Sequence, residues 1–342
     1  MAGRAPRGRI TLDDVAARAG VSKGTVSKTL NGRSDVAADT RSRVEALLVQ
    51  HGYRRRVASR PSSRLVELVF HELQSAWSIV IIRGVEDVIA SEGMSVSLTV
   101  SGSRHAPADD WLEAVIQRSP VGVILVFSEM PTHMRAALQT RGIPFVIIDP
   151  AGDPPENDPS VASANWSGGL AATRHLISLG HERIAAITGP DDMMCSHARL
   201  DGYRSAMTAA GLPIREEWVR FGNFLTDGGA RHATELLALD PEQRPTAIFA
   251  GSDLQALGVY DVARQRGLRI PDDLSVVGYD DIPLSEWVSP RMTTVLQPLE
   301  EMGREAARLI ARLADGPIVP TPRIELATRL LVRESTAPPA AR

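Results

Sequence analysis

Apolar residues recur at helical spacing through Leu12, Val15, Ala16 and Ala19, and again through Val26, Thr29 and Leu30, until Asn31 and Gly32 break the pattern. Thr11 ahead of Leu12, Asp13 and Asp14 predicts an N-cap followed by acidic residues, where the helix dipole favours them. Ser22 predicts the cap of a second helix, and a third is expected from Asp39 to Gln50 over Val44, Leu47 and Leu48. Two short helices joined at Gly20 and Val21 and braced by a third make a helix-turn-helix. From Leu65 the pattern changes. Apolar runs at 65–70, 95–100, 122–127, 145–148, 184–188, 247–250, 275–277 and 293–296 read as strands. Between them lie helical patterns at 79–91, 111–118, 134–140, 168–179, 199–210, 227–239, 253–266 and 299–313. Near-continuous apolar strands alternating with helices predict an α/β body of parallel sheets covered on both faces. The proline-rich break at 150–159 suggests two lobes with a cleft between them, and the loops after the strands become the candidate ligand site.

Length agrees with this division, since 342 residues exceed what one hydrophobic core usually organises. Apolar residues make up 43% and charged residues 23%, with no apolar run long enough for a membrane-spanning helix. The basic start leads into TLDDVAARAG instead of an apolar stretch, so no secretory signal is expected. Cys195 is the single cysteine, which excludes an intramolecular disulfide and any all-cysteine metal site. These features together predict a cytoplasmic protein.

The net charge of −3 hides a strong polarity. Residues 1–64 carry fourteen basic side chains against five acidic ones, a net +9, which leaves 24 basic and 36 acidic residues, or −12, for the rest. A basic head on an acidic body points to a polyanion-binding module joined to something with a different task. The second helix, the one expected in the major groove, has Ser22, Lys23, Thr25, Ser27 and Lys28 on its polar face, and Lys23 and Lys28 are the only lysines in the chain. Lys23 and Thr25, flanked by Gly24, are assigned to base edges; Ser22, Ser27, Lys28 and Asn31 are assigned to the phosphate backbone.

The stretch from Thr11 to Gly32, TLDDVAARAGVSKGTVSKTLNG, followed by Thr40-Arg-Ser-Arg-Val-Glu and Gly52-Tyr53, resembles the head of the lactose-repressor (LacI) family. The resemblance continues through Asn165-Trp-Ser-Gly-Gly, Leu179-Gly-His-Glu-Arg-Ile, Arg199-Leu-Asp-Gly-Tyr, Gly251-Ser-Asp-Leu-Gln-Ala-Leu-Gly and Ile270-Pro-Asp-Asp-Leu-Ser-Val-Val-Gly-Tyr-Asp-Asp, so it spans nearly the whole chain. It implies a periplasmic-binding-protein-like body, a homodimer on a pseudo-palindromic operator, and a small-molecule sugar effector. The expected domains are a head over 1–53, a linker over 54–64, an effector-binding and dimerisation body over 65–335, and a disordered tail over 336–342. Within the family, the stretches at 70–77, 165–166 and 333–336 look most like those of actinobacterial regulators of pentose and plant-polysaccharide use.

The linker departs from that pattern. Family members usually follow the tyrosine with a proline and a hinge helix whose leucine wedges into the minor groove; here Tyr53 is followed by Arg54, Arg55 and Arg56, with no such leucine and with Pro61 discouraging a helix. A solvated linker and an arginine arm in a narrow minor groove fit these residues equally. The expected DNA-contacting set is therefore Thr11, Ser22, Lys23, Gly24, Thr25, Ser27, Lys28, Asn31, Tyr53, Arg54, Arg55 and Arg56.

A sugar site needs fixed polar groups for hydroxyls and flat apolar faces for the ring. Arg199, expected between the strand at 184–188 and its helix, offers a planar fork of donors, or else a surface ion pair. Matching family positions point to Asp253, Asp280, Gln297 and Asn223 or Phe224, although Asp253 alone reads equally as a helix cap and Asp280 as a turn residue. Trp77 and Trp166 are candidate stacking walls or core residues.

Nothing in the sequence indicates catalysis or a cofactor. Ser167-Gly168-Gly169 lacks the Gly-Lys-Ser/Thr of a phosphate loop, the eight histidines show no metal-ligand spacing, and no Gly-x-Ser-x-Gly elbow occurs. The tail has no heptads for a tetramerising coil. The leading expectation is a non-enzymatic repressor controlled by a sugar such as xylose or a related plant-derived sugar. The alternatives are a sugar-handling enzyme or kinase with an appended head, and a transport protein.

Overall fold

In a computed structural model of the chain, the described residues are 10–30, 35–51, 53, 64–73, 76–102, 106–127, 129–316 and 318–340. The head contains α1 (Leu12–Ala19), α2 (Lys23–Leu30) and α3 (Ala38–Gln50). Thr11 caps α1 with a full capping box: its hydroxyl takes the Asp14 N–H at 3.3 Å, while Asp14 accepts the Thr11 N–H at 2.8 Å. Val15, Ala16, Ala19, Val26, Leu30, Val44 and Leu48 make a separate small core, with Tyr53 packed on its edge.

Among the described residues the body has two six-stranded sheets. The first lobe is built from β1 (Leu65–Phe70), α4 (Ala76–Ser91), β2 (Ser95–Val100), α5 (Asp109–Arg118), β3 (Gly122–Val126), α6 (Thr132–Arg141), β4 (Phe145–Ile148) and β5 (Ser160–Ser163). The second holds α7 (Asn165–Ser178), β6 (Ile184–Thr188), α8 (Met194–Ala209), β7 (Val219–Phe221), α9 (Thr226–Leu237), β8 (Ala247–Ala250), α10 (Asp253–Gln265), β9 (Ser275–Asp280), α11 (Leu284–Trp287) and β10 (Thr293–Leu296). The chain then returns to the first lobe for α12 (Leu299–Asp315) and β11 (Arg323–Leu326), and ends in the second with β12 (Arg329–Leu331).

The strand orders are β11-β5-β4-β3-β1-β2 and β12-β10-β9-β8-β6-β7, parallel throughout except for β12 against β10. The backbone thus crosses between lobes three times, and two crossings are tied together where Ala164 N–H donates to Leu326 O at 2.8 Å. Helix α12 lies against α4 so closely that a Cβ on Gly84 would sit 2.0 Å from the Glu300 carbonyl oxygen. Among the described residues, no helix is long and apolar enough to cross a membrane.

The alternation of apolar and helical segments is the architecture observed, with short strands at 160–163, 219–221, 323–326 and 329–331 added to it. The loop at 150–159 lies within the first lobe, between β4 and β5, and the crossing falls after Ser163. The expected linker at 54–64 lies outside the described residues except for Arg64, which is anchored to the first lobe by donating to Gly93 O and Glu92 O at 2.7 and 2.8 Å. The tail expected to be disordered is laid along the second lobe over 336–340, because buried His181 reaches the Ala337 carbonyl at 2.9 Å and His175 reaches the Thr336 hydroxyl at 2.9 Å. Residues 341 and 342 lie outside the described residues.

Candidate effector cleft and DNA-reading head

A cavity of about 460 Å³ opens between the lobes at the carboxyl ends of their strands. Trp77 and Phe127 line it from the first lobe; Arg199, Asn223, Phe224 and Asp280 line it from the second. Trp77 stacks on Phe127 with centroids 4.5 Å apart, and Phe127 on Phe224 at 6.4 Å, so three nearly parallel rings run from one lobe to the other. Phe127, Phe224 and Asp280 have φ of +50°, +64° and +112°, a conformation that side-chain-bearing residues rarely adopt. Strain of roughly 1–3 kcal/mol per such residue persists where surrounding packing imposes it, and it commonly marks ligand sites. Phe224 fits because residue 189 is glycine: a Cβ there would stand 2.0 Å from the ring.

Arg199 lies inside α8 and not before it, which changes its surroundings from loop to core: it is 2% exposed. Its Nε donates to Asn165 Oδ1 at 2.8 Å, its Nη1 to Gly251 O at 2.6 Å, and its carboxylate neighbour Asp280 Oδ1 is 3.8 Å away. The surface ion-pair reading of Arg199 is therefore excluded. Burial works against its charge, but Tyr279, Cys195, Asp280 and Asp149 around it outweigh that and raise its affinity for the proton. Burial pushes the Asp280 carboxyl up to about 7, against the pull of Arg199. Asp149 is raised by burial for the same reason, and Asp253 is raised by burial and by Asp280. Burial also pushes the Cys195 thiol up to about 12, leaving it unreactive at neutral pH.

Of the other expected contacts, Gln297, Asp253 and Trp166 fall elsewhere. Gln297 is outside the cleft lining; its amide donates to Asp149 Oδ2 and Ser163 Oγ at 2.9 Å each, and its carbonyl accepts from Trp77 Nε1 and Arg199 Nη2 at 3.4 Å. It joins the lobes behind the site. Asp253 is fully buried behind the cleft, accepting from Thr294 Oγ1 at 2.5 Å and Ile282 N at 2.9 Å, while Ser252 is the cap of α10. Trp166 is 46% exposed and does not line the cavity. Asn223 does line it, with its amide donating to Asp227. Phe127, Ser252 and His71 line the cleft without having been singled out from sequence; Phe127 and Asp149 each follow a strand, the position that marks ligand loops in such sheets.

In the head, Ser22 caps α2 by accepting the Thr25 N–H at 3.0 Å. Ser22, Lys23, Gly24 and Lys28 are exposed, and Thr25 and Ser27 half-buried. Lys23 and Lys28 meanwhile pair with Asp13 at 2.8 Å and Asp35 at 2.6 Å, exposed partners that phosphates can displace. Thr11 is committed to capping, and Tyr53 to the head's core. Asn31, Arg54, Arg55 and Arg56 lie outside the described residues.

Residues 11–56 match the model for bacterial regulatory proteins of the lacI family, and residues 173–336 that for a periplasmic binding protein-like domain. The HTH-type transcriptional regulator CelR of Thermobifida fusca is 37% identical over 341 residues, covering 96% of this chain and 99% of its own. The chain belongs to the LacI family. Among solved LacI-family structures, the CelR–cellobiose complex matches with a TM-score of 0.73 at 36% identity over 96% of this chain and 100% of that one. A LacI-family regulator from Enterococcus faecium with bound ribose gives 0.72 at 27% identity over 80% and 99%. The lac repressor dimer bound to operator gives 0.69 at 26% identity over 96% and 99%. The head and body are thus those of a LacI-family transcriptional regulator, and the enzyme reading falls away because the relatives matched over the whole chain are regulators.

Proposed function

We propose that the chain is a cytoplasmic repressor whose operator affinity is lowered by a neutral sugar held in the interlobe cleft. The observation that carries this reading is the pairing of the Trp77–Phe127–Phe224 ring stack with Arg199 and Asp280 facing the same cavity. Aromatic faces take the C–H side of a pyranose, while a guanidinium donates to hydroxyls and a carboxylate accepts from them. Asn223 adds an amide at the rim. Gln297, Asn165 and Asp149 hold the contacting groups in place and do not touch the ligand.

The candidates are xylose or a related plant-derived sugar, as monomer or β-linked dimer. A cavity of about 460 Å³ has room for either. Cellobiose in CelR and ribose in the Enterococcus regulator support both sizes as effectors of this fold. Sugar contacting both lobes favours their closed arrangement by its differential affinity, and a coupling of about 1–3 kcal/mol corresponds to roughly 5- to 150-fold weaker operator binding. The test is a thermal-shift comparison of xylose, xylobiose, glucose, cellobiose and ribose, followed by operator titration with each sugar that binds. Operator affinity unchanged by every binding sugar refutes the reading.

A further inference from the structure

The head rests on the first lobe through a contact built around Arg141, the last residue of α6. Its Nε donates to Leu30 O, and its Nη2 to Thr29 O and to Glu45 Oε1, each at 3.0 Å, while Nη1 turns back to Ala137 O at 3.0 Å. The side chain is 5% exposed. Thr29 and Leu30 close α2, and the last carbonyls of a helix have no donor within it. Here a cation from another domain takes two of them, at the helix end where the dipole favours positive charge. Alongside, Arg41 of α3 donates to Glu113 of α5 at 2.6 Å.

The contact leaves the reading surface open. It engages the carboxyl end of α2 and one side of α3, whereas Ser22, Lys23 and Gly24 at the amino end of α2 remain exposed. A guanidinium that loses its water needs replacement hydrogen bonds in fixed directions, and those directions fix how α2 stands on the lobe. We propose that Arg141 docks the head onto the first lobe in the orientation that reads DNA, so that α6 sets the direction of the recognition helix. Since the same lobe supplies Trp77 and Phe127 to the cleft, rearrangement of that lobe is carried to the head through α6. The proposal rests on the head reading DNA, as inferred above.

The test uses the full-length protein and a duplex enriched by the wild type from a random pool. Arg141→Ala, Arg141→Lys and Glu45→Gln are compared by anisotropy on that duplex and on a scrambled one, and by hydrogen exchange over 12–50 without DNA. Loss of a buried charge-assisted contact predicts about tenfold weaker binding of the enriched duplex by Arg141→Ala, with faster exchange in α2 and α3. The scrambled duplex should change little, because sequence-independent attraction depends on charges that remain. Arg141→Lys restores part of the loss, and Glu45→Gln, which keeps both carbonyl contacts, costs less than Arg141→Ala. Enriched-duplex affinity equal to or tighter than wild type in Arg141→Ala overturns the proposal. If the wild type enriches no duplex, the DNA reading fails, and exchange decides the dock alone: protection unchanged by Arg141→Ala overturns it.

Discussion

The Arg199 guanidinium lies over the Tyr279 ring, 3.7 Å from its centroid, with the Asp280 carboxyl beside it. A ring face, a carboxylate and two fixed acceptors therefore share one buried cation, and each constrains the others. Removing that cation strands Asp149 and Asp280 in a low-dielectric site. Arg199→Ala is expected to cost about 3–5 kcal/mol of stability, read by denaturant unfolding. Arg199→Lys keeps the charge but loses the planar fork, so sugar affinity should fall by about tenfold or more in calorimetry while most stability remains.

Proton binding at Asp280 gives a second expectation. With its carboxyl raised to about 7 by burial, the group contributes stability below the unfolded value of 3.8, and that contribution is lost as pH rises through 7. Thermal melts between pH 5.5 and 8 should show stability declining with pH, and Asp280→Asn should flatten the decline. Sugar affinity should move the opposite way, rising with pH, because the ionised carboxylate is the better hydroxyl acceptor.

Gly189→Ala puts a methyl where the Phe224 ring stands. The ring is at the end of its side chain and must swing aside, so the fold should survive while the third layer of the stack is lost. We expect sugar binding weakened by about threefold to tenfold, the value of one aromatic contact, with the melting temperature little changed. Equal affinity in calorimetry would exclude Phe224 from the site.

On DNA, Lys23→Ala should change base preference, since Lys23 stands at the exposed start of α2. Anisotropy on operator and scrambled duplexes reads the difference; equal loss on both would reassign Lys23 to the phosphates.

Sedimentation should show a dimer at micromolar concentration. Trp287, 75% exposed on α11, is the kind of large apolar side chain that anchors interfaces. Trp287→Asp is expected to shift the protein toward monomer and to reduce operator affinity with it.

The sequence was most readable where one residue type has one use. Thr11 is the N-cap its position predicts, and the runs at 65–70 and 145–148 are buried strands as expected. Short edge strands at 219–221, 323–326 and 329–331 escaped, because an edge needs no continuous apolar run. Arg199 and Asp280 line the cleft, as their sequence positions predict, whereas Gln297 and Asp253 stand behind it. Periodicity and family position locate a residue on a strand end; they do not say whether its side chain turns toward the cavity or back into the joint between lobes. Trp166 shows the same limit, since a tryptophan's face reveals nothing of which way its helix presents it. Arg141 gave no signal because its partners, the Thr29 and Leu30 carbonyls, belong to the backbone and come from more than a hundred residues away.

The return of α12 and β11 to the first lobe has a consequence for how the protein is made. A ribosome releases the head first and then all of β1 to β5, yet that sheet still lacks the helix that packs on Ile81 and Val85 and the strand that pairs with β5. The second lobe, whose sheet lacks only β12, is synthesised before those pieces arrive. Until residue 326 has emerged, the nascent chain therefore carries an open sheet edge and an uncovered apolar face behind a head already able to fold. Truncated chains ending before α12 should bind chaperones and aggregate, so that the cell accumulates either complete regulators or none.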